Sequence, residues 1–191
     1  MPRPGAAELV MIRHAPAAHG GRLCGRTDVE AEIPADLSAW RAALPQGALI
    51  TSPARRCVAT AAALFPGQQA GADPRLWEQD FGVEDGRPFA DLPDLGPLPR
   101  DALAARRPER GESFLDMVHR VTPALRELAG AARAQGPVAV VAHAGTVRAA
   151  LGLALDDWPA ALAFEVAPLS LTRLRCVENG MSIVSANWLP A

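Results

Sequence analysis

The chain alternates short, unbroken apolar runs with longer stretches in which apolar residues recur every three or four positions. Leu9-Val-Met-Ile12 and Val138-Ala-Val-Val-Ala142 are apolar throughout, and Ala48–Thr51 is a shorter run of the same kind. Runs without polar alternation read as strands covered on both faces, the habit of parallel sheets. Pro53 stands where a helix can start, and the alanine-rich run to Leu64 continues it until Pro66. Ser113-x-x-Asp116 resembles a capping box and leads into helical spacing at Phe114, Val118, Val121, Leu125 and Leu128. Pro123 inside that segment predicts a kink or marks its true first turn. A further helix is expected from about Thr146 to Leu153 and a short strand at Pro74–Trp77. Leu169–Cys176 and Met181–Ala186, joined across Glu178-Asn-Gly, read as a terminal hairpin, Asn-Gly being a favoured tight turn.

One segment resists this pattern. Residues 85–110 carry prolines at 88, 93, 97, 99 and 108 and are too long and irregular for a simple connection, so a lid or substrate loop is expected there. The alternation as a whole predicts an α/β fold. Its expected form is a three-layer α/β/α sandwich around a mostly parallel sheet, as one domain over residues 1–191.

Composition narrows the function. No apolar stretch reaches the ~18 residues of a membrane span. The start, Met1-Pro-Arg-Pro-Gly-Ala-Ala, lacks the apolar core of a signal peptide, so a cytoplasmic location is expected. A net charge of -2 with both signs scattered argues against nucleic acid or membrane as partner. Cys24, Cys57 and Cys176 are an odd, widely spaced set without a metal pattern, and reduced thiols fit best. All 19 basic residues are arginine, a bias shared with abundant alanine, proline and glycine. A Walker phosphate loop and a Schiff base both need lysine, so those chemistries lose their central residue. Anion binding must rest on arginine, whose planar fork suits phosphate and carboxylate.

Both long apolar runs end on a histidine: Ile12-Arg13-His14 and Val141-Ala-His143. The carboxyl ends of parallel strands are where open α/β sheets hold ligands. The run from Thr51 puts Arg56 about one turn into the next helix, near the same edge, where free amides already favour an anion. Taken alone, Arg56 reads equally as a surface arginine paired with a carboxylate. Glu78 and Asp80, just past the Pro74–Trp77 segment, could include a general acid or form an ordinary acidic loop. His19 and His119 read as a loop residue and a helix-border residue.

Together these pieces resemble the histidine phosphatase superfamily, in its phosphoglycerate-mutase-like branch, from about Leu9 to Asn187. Leu-x-x-Ile-Arg13-His14-Ala-Pro looks like the Arg-His-Gly signature, and Gly25-Arg-Thr-Asp28 like the loop that follows it. Thr51-Ser-Pro-x-x-Arg56-Cys-x-x-Thr60-Ala61, Leu76-x-Glu78-x-x-Phe-Gly82, Gly111-Glu-Ser113 and Val-x-His143-Ala-Gly-x-x-Arg148 match the later blocks in the family order. The resemblance implies a metal-independent phosphomonoesterase without cofactor. His14 would take the phosphoryl group, Arg13 and Arg56 would clamp its oxygens, His143 would add a donor, and Glu78 would act as general acid and then base. Gly25, Arg26, Thr27 and Ala144 would meet the substrate, a small phosphate ester, with the lid arginines Arg106 and Arg107.

The chain also departs from the family pattern. Ala15 and Ala144 stand where glycine is usual, a change tolerated if both keep negative φ. Ala17 and Gly20 replace a threonine and an asparagine, and Glu84-Asp85 replaces a frequent Trp-Glu pair. Only 33 residues separate Glu78 from Glu112, shorter than in the mutases, which favours a phosphatase. The Gly25–Asp28 loop and compact lid look most like α-ribazole phosphatases. The alternatives are phosphoglycerate mutase-type activity or a catalytically weak relative that binds a phosphorylated ligand. The oligomeric state, monomer or homodimer, stays open. The motifs of cysteine phosphatases, aspartate-based phosphatases and serine hydrolases are absent.

Overall fold

The computed structural model describes residues 7–190. The amino-terminal segment read above as lacking a signal peptide therefore lies almost wholly outside the described residues. Strand β1 (Glu8–Arg13) contains the first apolar run, and β4 (Val138–Ala142) is the second with the expected bounds. Between them in the sequence come α1 (Ser38–Ala43), β2 (Ala48–Thr51), α2 (Arg55–Leu64), β3 (Gly71–Ala72), α3 (Arg100–Ala105) and α4 (Phe114–Gln135). After β4 follow α5 (Ala144–Leu155), α6 (Trp158–Ala161), β5 (Leu171–Val177) and β6 (Gly180–Trp188). The fold is α/β, with the six strands in the order β3-β2-β4-β1-β5-β6. Strands β1, β2, β3 and β4 pair in parallel, and β5 is antiparallel to β1 and to β6, so the sheet is mixed.

The apolar runs cover both faces because alternate side chains of a strand point to opposite sides. Leu9 and Met11 pack with Met117, Val121 and Leu125 of α4 and Leu151 of α5. Val10 and Ile12 pack with Cys57, Ala61 and Leu64 of α2 and with Leu37 beside α1. Glu8 extends β1 beyond the apolar run, its buried carboxylate meeting Arg173 at 3.1 Å.

Three local expectations change. Pro74–Trp77 is not a strand: Pro74–Leu76 forms a 3-10 turn capped by Asp73, whose side chain accepts from the Arg75 amide. Proline has no N–H for a ladder but suits the first position of a turn. Pro123 does not mark the true first turn of α4: the helix runs from Phe114 to Gln135 with Pro123 inside it, behind a complete Ser113/Asp116 capping box. In the terminal hairpin the central turn residues are Glu178 and Asn179, and Gly180 already pairs with Val177.

Segment 85–110 is largely built. Its first part is zipped to residues 21–25: Gly86 N donates to Leu23 O (2.7 Å), Leu23 N to Arg87 O (2.9 Å), and Phe89 N to Gly21 O (2.9 Å). Its last part is α3, which buries Ala104 in the core. Among the described residues no helix is long and apolar enough to cross a membrane.

Candidate active site

The β1–β4 register pairs Arg13 with Ala142, so the next residue of each strand, His14 and His143, leaves the same edge side by side. The two rings lie 5.3 Å apart at 71°. His14 Nδ1 is 2.6 Å from the carbonyl oxygen of Ala15. A carbonyl only accepts, so Nδ1 carries the hydrogen and Nε2 keeps its lone pair. Burial lowers the His14 pKa to about 3, helped by the charges of Arg56 and Arg13 and opposed by the Ala15 carbonyl. The imidazole is thus neutral at ordinary pH, the state in which it is a nucleophile.

The end of β1 is fixed from three sides. His14 N donates to Ala142 O (2.9 Å), and Thr60 Oγ1 accepts from Ala15 N (3.0 Å). Leu169 N donates to Arg13 O (3.0 Å) and more distantly to His14 O (3.3 Å). Leu169 is held at φ +61° in a turn closed by Ser170 N and Ala167 O, and the Trp40 indole N–H donates to its carbonyl (2.9 Å). A positive φ is uncommon for leucine and is retained here by these surroundings. Ala15 and Ala144 both have negative φ, so the extra methyl groups bring no backbone strain.

His143 differs from His14. It is fully buried, with Nε2 2.9 Å from Ser52 Oγ and Nδ1 3.2 Å from Arg56 Nη2. Guanidinium only donates, so Nδ1 is the acceptor and Nε2 carries the hydrogen toward Ser52. Burial, then the charge of Arg56, drives its pKa well below 6.5. Both nitrogens are engaged within the protein, so His143 holds Arg56 here and is not a free donor to an incoming group.

Arg56 is also buried, donating to the carbonyls of Gly25 (2.8 Å), Thr27 (3.2 Å) and Cys24 (3.5 Å). Arg13 Nη1 donates to Val166 O (2.5 Å), and its Nε is buried without a partner. Arg148 Nε donates to Phe164 O (3.0 Å). Glu78 is held through Oε1 by the Gln79 amide (3.0 Å) and through Oε2 by the Gly145 amide (3.2 Å), in the first turn of α5. A Cβ on Gly145 would lie 2.1 Å from Glu78 Oε1, so a side chain there would push the carboxylate off this docking position. Arg120 of α4 clamps the same segment, donating to the carbonyls of Arg75 (2.7 Å), Trp77 (3.0 Å) and Glu78 (3.1 Å) while paired with Glu112 (2.7 Å).

Arg13, His14, Arg56, Glu78 and Ala144 line one cavity of about 400 Å³, with His143 behind it. Arg106 also faces the cavity, paired with Glu84, whereas Arg107 turns to Asp116 (2.7 Å). Gly25, Arg26 and Thr27 do not line the cavity; their amides converge on the carboxylate of Asp85. The expected substrate contacts of this loop are therefore taken up by an internal anion. Arg26 instead stacks over Trp77, its guanidinium carbon 5.5 Å from the ring centroid. His19 lines the cavity with its ring edge against Phe89 (5.4 Å) and so is part of the wall. His119 packs edge-on against Trp158. Arg22, Arg120, Asp85 and Gly145 had no assigned role in the sequence reading. For Arg22 and Gly145 the signal is their place beside or within matched motifs, and for Asp85 it is the acid of the Glu84-Asp85 pair that stands at the family's Trp-Glu; for Arg120, which bridges main-chain carbonyls and Glu112, there is none.

Residues 9–189 match the histidine phosphatase superfamily (branch 1). A glucosyl-3-phosphoglycerate phosphatase of Mycolicibacterium vanbaalenii is 33% identical over 176 residues, covering 79% of this chain and 77% of that protein. Among solved structures, a mycobacterial hydrolase superposes with a TM-score of 0.80 at 27% identity, over 96% of this chain and 99% of the other. A mycobacterial glucosyl-3-phosphoglycerate phosphatase gives 0.73 at 26% identity, over 94% and 98%. An α-ribazole-5′-phosphate phosphatase candidate from Escherichia coli gives 0.79 at 19% identity, over 96% and 97%, a likeness of fold alone. The chain belongs to the histidine phosphatase superfamily, branch 1, and is a hydrolase of the phosphomonoesterase class.

Proposed function

We propose that the protein hydrolyses a small phosphate monoester through a phosphohistidine at His14, without metal. The observation that carries this reading is a neutral imidazole with Nε2 free, in a cavity lined by Arg13 and Arg56 and sharing it with Glu78. His14 Nε2 forms the bond to phosphorus as the ester P–O bond breaks, and the Glu78 carboxyl gives its proton to the departing alkoxide. Water then attacks the phosphohistidine, its proton returning to the Glu78 carboxylate, and inorganic phosphate leaves with His14 neutral again. Arg13 and Arg56 supply charge-assisted hydrogen bonds to the phosphoryl oxygens as charge redistributes.

The rest of the cavity favours an alcohol portion that carries a further anion. Arg22 and Arg148 line it without an ion pair among the described residues, beside the apolar faces of Phe81, Phe89 and Leu103. Glucosyl-3-phosphoglycerate, on which the 33%-identical relative is named as acting, has that chemistry: a carboxylate and a sugar on the same ester. α-Ribazole 5′-phosphate has no second anion and is the weaker candidate. The test is phosphate release in EDTA on both compounds, on 3-phosphoglycerate and on p-nitrophenyl phosphate. The expected result is release on all, fastest with the glucosyl ester. A preference for α-ribazole phosphate would replace the substrate. Interconversion of phosphoglycerates would favour a mutase, and binding without release would favour the ligand-binding relative.

A further inference from the structure

The Gly25–Thr27 loop separates an anion from a cation. On one side its successive amides donate to the Asp85 carboxylate: Gly25 N at 3.3 Å, Arg26 N at 2.6 Å and Thr27 N at 3.1 Å. Consecutive N–H groups converging in this way form an anion-binding nest. The carbonyls of Gly25 and Thr27 accept from Arg56 at 2.8 and 3.2 Å. The approach is too close for any other residue at 25, where a Cβ would lie 2.1 Å from Gln79 O and 3.0 Å from Asp85 Oδ2. Gly86 N, next to Asp85, ties the two segments again through Leu23 O at 2.7 Å.

We propose that Asp85 is a positioning residue for Arg56. By fixing the Cys24–Gly25 and Gly25–Arg26 peptide groups it presents the Cys24 and Gly25 carbonyls to the guanidinium, with the Thr27 carbonyl carried on the same turn, and so sets where Arg56 meets the transferred phosphoryl group. The Gly25–Arg26 peptide gives its N–H to Asp85 and its carbonyl to Arg56, so the anion polarises that group and makes the Gly25 carbonyl a better acceptor; the Cys24–Gly25 peptide does the same over a longer reach, its carbonyl 3.5 Å from Arg56. The loop is therefore a relay from a carboxylate outside the cavity to a cation lining it. This inference rests on the phosphoryl-transfer reading of Arg56. Because Arg56 gains strength as charge redistributes, loss of its register falls on kcat more than on KM.

The experiment is a double-mutant cycle on p-nitrophenyl phosphate with Asp85→Ala, Arg56→Ala and the double variant, with thermal midpoints for each. Asp85→Ala should lower kcat by about thirtyfold with little change in KM, the scale of a charge-assisted hydrogen bond. In the Arg56→Ala background the same change should cost no more than about twofold, because coupled residues are not additive. Formate, small enough to refill the nest, should restore part of kcat to Asp85→Ala and none to the wild type. Full additivity, or a loss that formate does not restore, would make Asp85 a scaffold residue and overturn the proposal. Should Asp85→Ala fail to fold, the isosteric Asp85→Asn decides: wild-type kcat there overturns it. Wild-type activity in Arg56→Ala would instead overturn the phosphoryl-transfer role of Arg56.

Discussion

His14 and His143 leave neighbouring strands at the same level, each after an apolar run, yet their surroundings assign them different work. His14 spends one nitrogen on the carbonyl of the next residue and keeps the other for the cavity. His143 spends both, on Ser52 and on Arg56. Both are neutral because both are buried, so charge state does not separate them; hydrogen-bond occupancy does. In the proposed mechanism a histidine at a strand end serves as nucleophile or as strut according to how many of its nitrogens the protein has already claimed.

The sharpest way to break this contrast is to remove each ring. His14→Ala should lose at least about a thousandfold in phosphate release, the scale seen when a nucleophile is deleted. His143→Ala should lose about a hundredfold, through Arg56, and still accumulate the phosphoryl label on His14 in alkaline-quenched samples. Label appearing in His14→Ala would reverse the two roles. A smaller effect should sharpen the role of Glu78, the carboxylate across the cavity lining. Glu78→Gln should cost about a hundredfold on an alkyl phosphate and less than about tenfold on p-nitrophenyl phosphate, whose leaving group needs little protonation. Equal losses would remove Glu78 from the acid role.

The smallest effect is on stability. The folded pKa of His14 is about 3 against 6.5 for a free imidazole, and that of His143 is also lowered. As pH falls below about 6.5 the unfolded chain binds protons that the folded chain refuses, so stability falls with pH, by up to about 1.4 kcal/mol per unit for each histidine. For His14 this continues down to its folded pKa and is absent above 6.5. Urea midpoints between about pH 7 and about pH 5 should decline accordingly, and more gently in His14→Ala. An unchanged slope in that variant would contradict the burial argument.

The parts of this arrangement that sequence patterns announce are those made by local rules. Val138–Ala142 and Ala48–Thr51 have the expected bounds because a doubly covered strand needs an uninterrupted apolar run. Ser113 and Asp116 mark the start of α4 because a cap is built within four residues. The catalytic candidates follow from strand ends and motif order, and the cavity does gather Arg13, His14, Arg56 and Glu78. What escaped is set by distant main-chain partners. Nothing near Arg120 shows that it will bridge three carbonyls around Glu78, all of them more than forty positions earlier. The Gly25–Thr27 amides look ready for a substrate until Asp85, about sixty residues on, is seen to occupy them. Strand β3 has two residues, too few for a periodic signal, and the adjacent Pro74 segment drew the expectation instead.

Trp77 lies parallel to the His143 ring, 6.2 Å away at 10°, with the guanidinium carbons of Arg26 and Arg56 5.5 and 5.9 Å from its centroid. Indole emission responds to charge held near its ring, and here two fixed cations lie close to one such ring. An anion entering beside Arg56 is therefore expected to alter emission from Trp77, a change that titrating phosphate into the wild type and into Trp77→Phe would read without any label.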